Sequence, residues 1–268
     1  MAQGGGIAMI ANVLHWLTTG AHWRSTHNYT GILTQLATHI RFSVIAVAIA
    51  LVIALPLGLF IGHTGRATSL VTAANTFRAL PSVGVLVLLT VIIAPHVHGR
   101  TDLGYLVPTE IVLVLLAIPP ILSNTYAGVQ NVDRSTRDAA AAMGMTGPQV
   151  LRQVEFPCSL PLIFSGLRSA SLQVIATATI ASYLPLGGLG RFIYDGLAQQ
   201  DFPQMIGGGV LVAALALITD GLLALVQRNV VSRGITGRFA TNVATAVGPV
   251  AAAQVPLGAP VDVEVAAF

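Results

Sequence analysis

The chain reads as long apolar runs punctuated by short polar intervals. From Phe42 to Gly62 there is no charge, with Arg41 and His63 bracketing the run. A second run, about Thr68 to Ala94, is interrupted by Asn75, Arg78 and Pro81. A third, about Val107 to Val129, carries Pro119, Pro120, Asn124 and Tyr126 in its second half. Leu160 to Leu184 and Gln204 to Val226 complete the set. A helix crosses the hydrocarbon core with about 20 predominantly apolar residues, so each run is long enough. The pattern predicts an all-α integral membrane domain of five spanning helices, over residues 33–238.

The two flanks differ from this core. Ile7 to Leu17 is apolar but short of a full crossing, and it lacks the basic start and cleavage site of a secretory signal. Trp16, Trp23 and Tyr29, interleaved with His15, His22 and His27, read as an interfacial belt, which makes 1–32 an extracytoplasmic segment. An additional crossing helix here is the alternative. Residues 239–268 are rich in Ala, Val, Pro and Gly, and Pro249, Pro256 and Pro260 interrupt them too often to span. They read as a disordered cytoplasmic tail.

The longest polar interval, 133–161, divides two very apolar halves. Ser135 followed by Asp138 reads as a capping box, Ala139 to Ala142 are strong helix formers, and Gly144 can take the left-handed stop. Thr146 with Gln149 repeats the capping signal, and Pro148 suits a first helical turn. Val150, Leu151 and Val154 share a face before Pro157, which is expected to end the run. Two capped helices joined at a glycine make a compact knob with a small apolar surface of Ala139, Ala140 and Met143.

Composition sharpens the class. Only 9% of residues are charged, 54% are hydrophobic and the mean hydropathy is +0.78, against about 25% charged in soluble domains. The net charge of +3 comes from 13 arginines and 10 acids, with no lysine. A Walker A phosphate loop needs its lysine, so any ATP hydrolysis must come from a partner. The arginines are scattered, which suits loops facing anionic lipid better than a nucleic-acid surface. Cys158 alone excludes an internal disulfide and a cysteine-cluster metal site; without a neighbouring base or cation it reads as a buried inert thiol. His96 and His98 read as an exposed loop rather than a metal site, since two ligands without a third are too few.

Within the polar interval, the pattern Asp138-Ala139-Ala140, Gly144, then Val154-Glu155-Phe156-Pro157, resembles the "EAA" loop of ABC-importer permeases. Asp stands for the usual Glu, and Val and Phe for the usual Ile and Leu. The segment Pro185 to Pro203, Phe77 to Ser82 and Ile53 to Gly58 are similar to permeases of osmoprotectant importers for glycine betaine, choline, carnitine or proline. The resemblance implies a type I importer permease, a transport subunit rather than an enzyme. It implies that the polar interval is a coupling helix docked on a cytoplasmic ATPase dimer, which holds ATP and Mg, through Asp138, Ala139, Ala140, Met143, Gly144, Arg152, Val154 and Pro157. It also implies a second permease subunit, identical or related, an extracytoplasmic binding protein, and a place in the bacterial inner membrane. No cofactor is expected in this chain.

With the coupling loop cytoplasmic, Arg66, Arg134, Arg137, Arg152, Arg168, Arg228, Arg233 and Arg238 fall inside, and Arg24, Arg41, Arg100 and Arg191 outside. Eight against four, with Arg78 left in the membrane, agrees with the positive-inside rule and puts the N-terminus outside and the C-terminus inside.

Candidates for the path or its gate are Asn75, Phe77, Arg78, Pro81, Asn124, Tyr126, Tyr183 and Asp220. Arg78 is the most conspicuous intramembrane charge. It can line the path or be tied to backbone carbonyls, and Asp220 reads as the only acid well inside an apolar run. Whether the two pair is left open. Gly187, Gly188 and Gly190, with Arg191, allow a tight or re-entrant turn that suits docking of a binding protein. Aromatics are only 6% and unclustered in the spans, so tight selection of a quaternary ammonium is expected in the separate binding protein. A permease for another small solute, such as an amino acid, stays open; an intramembrane enzyme is the remote alternative.

Overall fold

The structure is a computed structural model that describes the backbone over residues 3–26, 30–76, 81–96 and 103–231, and side chains from residue 8. Phe77, Arg78, His27, Tyr29, His98 and the tail 239–268 lie outside the described residues. The helices are α1 (Gln3–Thr18), α2 (Gly20–Trp23), α3 (Ile32–Thr64), α4 (Thr68–Thr76), α5 (Ser82–Ile93), α6 (Leu103–Gln130), α7 (Arg134–Ala142), α8 (Gly147–Val150), α9 (Phe156–Ala181), α10 (Gly190–Gln199) and α11 (Phe202–Val230). A 3-10 turn, Ala94–His96, extends α5, and a π-helical turn, Leu151–Glu155, joins α8 to α9.

Among the described residues, four stretches are long and apolar enough to cross a membrane: α3, α6, Gly147–Ala181 and α11. The second apolar run is different. It forms two short helices, α4 of 9 residues and α5 of 12, about 14 and 18 Å at 1.5 Å per residue, neither enough for a 30 Å core alone. Pro81 sits extended (φ −66°, ψ 111°) as the N-cap of α5, where its fixed φ and missing N–H suit a helix start. Both pieces pack on α6.

The centre is where α3, α6 and α9 meet. Ala46, Ala50 and Ala54 are fully buried at four-residue spacing on α3, against Leu113, Ala117 and Ile121 of α6 and Ala170, Val174 and Ala178 of α9. Small residues on one face let backbones approach closely, which is how helices associate where lipid removes the hydrophobic drive. The approach is close at Gly58, Gly62 and Gly166, where an added Cβ would lie 2.7 Å from Thr125 Cβ, 2.6 Å from Val129 Cβ and 2.7 Å from the Pro120 carbonyl. By contrast α11 leaves Leu217, Ile218, Leu222, Leu225 and Val226 exposed, an apolar face suited to acyl chains or another membrane subunit.

One residue of the expected aromatic belt, Trp16, belongs to the core instead. Trp16 is buried at 6% exposure, in a cluster with Ile32, Ile175, Leu189 and Phe192. Its ring lies on α11 at Gly207, where a Cβ would meet the indole at 2.5 Å. Glycine there turns an interfacial residue into a core one.

Candidate coupling site and solute path

At one end of the bundle, α7 and α8 form the expected pair of short helices. The first cap is Asp133, not Ser135: its side chain accepts from Ser135 N at 3.3 Å, which places the helix start two residues earlier than a Ser135–Asp138 box requires. Asp138 instead reaches Arg134 at 4.0 Å on the surface, a contact of little energetic weight. Gly144 takes the left-handed stop (φ 82°), and Thr146 N donates to Gln149 Oε1 at 2.7 Å in the second cap. Pro157 does not end the run. The chain passes from α8 through the π turn into α9, Phe156 N bonding to Leu151 O, and Pro157 falls in the first turn of α9, where its missing N–H is tolerated. Residues 147–181 are therefore one continuous rod.

The candidate docking residues separate into two groups. Asp138, Ala139, Met143, Gly144 and Arg152 are exposed, Met143 at 72%. Ala140 is buried at 2%, and Val154 and Pro157 are half-buried, so these three support the knob from within. Glu155, part of the motif but not among the candidate docking residues, lies deeper than any of them. It is 1% exposed, and its Oε2 accepts from His63 Nδ1 at 2.7 Å while Oε1 lies 3.0 Å from Arg137 Nε. That second approach is an ion pair by distance but is not aligned as a hydrogen bond.

The glycine turn lies at the opposite end. Gly187 and Gly188 have φ of 82° and 107°, and a Cβ on Gly190 would sit 2.0 Å from the Thr179 carbonyl. Two buried polar residues of α3, also missed in the sequence, hold the turn. Gln35 Oε1 accepts from Gly188 N at 2.6 Å, and His39 Nδ1 accepts from Leu189 N at 3.3 Å. His39 Nε2 faces Ile175 O at 3.2 Å, so the hydrogen-bond pattern assigns the proton to Nε2. Beside the turn is a cavity of about 720 Å³ lined by Gln35, Thr38, Arg191, Asp195, Gln199 and Gln204, with Arg191 Nε donating to Asp195 at 3.0 Å.

The path candidates are dispersed. Asp220 holds both oxygens on Arg168, Nε to Oδ1 and Nη2 to Oδ2 at 2.7 Å each. The question of its partner is thus answered from its own side: Arg168, in the middle of α9, holds it. Asn124 donates to Pro120 O at 2.8 Å and packs at Gly166; Tyr126 packs on the central cluster. Asn75 accepts from Ser123 Oγ at 3.0 Å, and Pro81 is exposed. Tyr183, 73% exposed, stands edge-on to Tyr194 at 5.4 Å, and both line an apolar cavity of about 500 Å³ with Val83, Leu86, Val87 and Thr90. Glu110, inside α6, is a second acid within a span, so Asp220 is not alone. Its carboxylate oxygens are buried with no hydrogen-bond partner. A charge inside the third apolar run was the signal available for it. Cys158 is partly buried. Among the described residues no group of three or more His, Cys, Asp or Glu could hold a metal ion.

Comparison with known proteins agrees with this geometry. The profile of the family described as "Binding-protein-dependent transport system inner membrane component" matches residues 54–235. The glycine betaine/carnitine/choline transport system permease protein OpuCB of Bacillus subtilis (strain 168) is 32% identical over 77% of this chain and 91% of its own length. The choline transport system permease protein OpuBB of the same organism is 31% identical over 76% and 90%. The osmoprotectant import permease protein OsmW of Salmonella typhimurium is 32% identical over 76% and 94%. Among solved structures, an inward-facing form of the MetNI methionine ABC transporter matches with a TM-score of 0.64 at 20% identity, over 75% of this chain and 96% of that one; it shows the fold. By its profile match and its relatives alike, the chain belongs to the binding-protein-dependent transport system inner membrane component family, as a multi-pass membrane permease.

Proposed function

We propose that this permease imports small quaternary-ammonium or zwitterionic osmoprotectants, of the glycine betaine, choline, carnitine or proline class, driven by ATP hydrolysed on a separate subunit. The names of its relatives support the solute class. One observation carries the energy coupling: an exposed, doubly capped knob is built as the beginning of a rod, Gly147–Ala181, that runs the length of the bundle. A push on α8 is a push on α9.

In this reading α7 and α8 face the cytoplasm and dock on an ATPase dimer, where ATP and Mg are held. Asp138, Ala139, Met143, Gly144 and Arg152 form the contact surface. A second permease, identical or related, completes the pathway, and the N-terminus is extracytoplasmic. The glycine turn, with Gly187, Gly188, Gly190 and Arg191 beside a polar cavity, receives the solute-binding protein. ATP binding draws the two knobs together and turns the passage outward; hydrolysis resets it. Within the passage the solute is held weakly. The open Tyr183–Tyr194 pair offers a cation–π face without the enclosing cage that tight binding needs.

Uptake into proteoliposomes holding the permease, its ATPase and its binding protein tests this. ATP-dependent accumulation of labelled glycine betaine, choline, carnitine or proline, with histidine and methionine excluded, is the expected result. Uptake of histidine or methionine and of none of the four would overturn the solute class while leaving the importer.

A further inference from the structure

We propose that Glu155 is the positioning residue that carries movement of the docked knob into α3, α6 and α9 together, a role that rests on the reading of α7 and α8 as the ATPase contact. Three separate elements meet at its carboxylate. His63, on the last turn of α3, donates to Oε2 at 2.7 Å, and Arg137, in the middle of α7, lies 3.0 Å from Oε1. Arg137 also donates through Nη2 to Val129 O on the last turn of α6. Beside this, Gln130 Nε2 donates to Gly62 O at 2.7 Å, tying α6 to α3 at the same level. Glu155 itself ends the π turn that begins α9.

Burial makes the arrangement obligatory. With a side chain 2% exposed, the Glu155 carboxylate cannot turn to water, and a buried ion that loses its partner is strongly penalised. Arg137 and His63 must therefore follow it. Without this tie α7 would be free to pivot at Gly144, where the chain takes a left-handed conformation with open space around it. Force on the exposed face would then be lost in the loop. With the tie, Met143 and Ala139 are pushed from outside while Arg137, on the same short helix, grips Glu155 from inside. The π turn seats Glu155 at the base of α9, and such turns are frequent at functional sites.

The test uses the full complex of permease, ATPase and binding protein in proteoliposomes. Two quantities are read: co-purification of the ATPase with the permease, and molecules of solute moved per ATP, for whichever of glycine betaine, choline, carnitine or proline the wild type moves. Glu155→Gln keeps the shape and removes the charge. The expected result is retained co-purification and a transport ratio lowered by about tenfold or more. Arg137→Lys, which cannot serve Glu155 and Val129 O together, lowers it as well, and the double variant is no worse than Glu155→Gln alone. Should Glu155→Gln fail to accumulate in the membrane, His63→Gln carries the same expectation, because Arg137 remains on Glu155 to support folding. An unchanged ratio in the folded variants overturns the proposal. A loss of thermal stability with the ratio intact assigns Glu155 a structural role only and also overturns it. Failure of the wild-type chain to co-purify with the ATPase faults the docking reading, and the latch falls with it.

Discussion

A single added methyl group at Gly190 has nowhere to go. Its Cβ would lie 2.0 Å from the Thr179 carbonyl, a backbone atom that cannot swing away, so Gly190→Ala should destabilise by about 1–3 kcal/mol in detergent thermal unfolding. Gly209→Ala is the matched control. Nothing lies within 4 Å of its Cβ position inside α11, and alanine gains up to about 1 kcal/mol of helix propensity there. The Arg168–Asp220 pair makes a second expectation at this scale. Both groups sit within long apolar helices. Asp220→Asn and Arg168→Lys should each lower the melting temperature, while replacement of both by leucine should recover much of the loss, because an unpaired charge costs more than no charge. A double variant that melts lower than either single would contradict this. Asp220 was visible in the sequence as a charge in an apolar run, but its partner was not: 52 positions separate them, and no local pattern records such a contact. The same limit hid Glu155, Gln35 and His39. Each is an ordinary polar residue by type, and only packing shows that it is buried and which element it holds.

Among the elements, the knob is defined by local chemistry and the spans by length. Gly144 and the Thr146–Gln149 box were therefore legible, since a stop and a cap depend on residues within one turn. Prolines were not read equally well. Pro81 caps the start of α5, whereas Pro157, expected to end its run, is absorbed at the start of a new helix after a π turn. The turn before Pro157 widens to admit it, which tertiary packing decides. An expectation follows for the knob's tip. Met143 is 72% exposed and touches no part of the core, so Met143→Glu should leave permease stability within about 0.5 kcal/mol. It should weaken ATPase co-purification by about tenfold or more, as loss of an interface anchor does. Equal retention of the ATPase by this variant would remove Met143 from the contact.

For the whole molecule, the runs and their order account for the architecture: among the described residues α3, α6, the rod 147–181 and α11 are long and apolar enough to cross a membrane, and α4 and α5 are shorter. In the proposed importer the knob at one end and the glycine turn at the other face different partners, and the rod 147–181 lies between them. The most direct measurement is ATP hydrolysis by the complex in lipid nanodiscs, with and without solute-loaded binding protein, for wild type and for Gly144 replaced by arginine. Our account predicts several-fold stimulation in the wild type and none in the variant, because a signal received at the glycine turn must leave through the knob. Stimulation that survives the Gly144 replacement would contradict it.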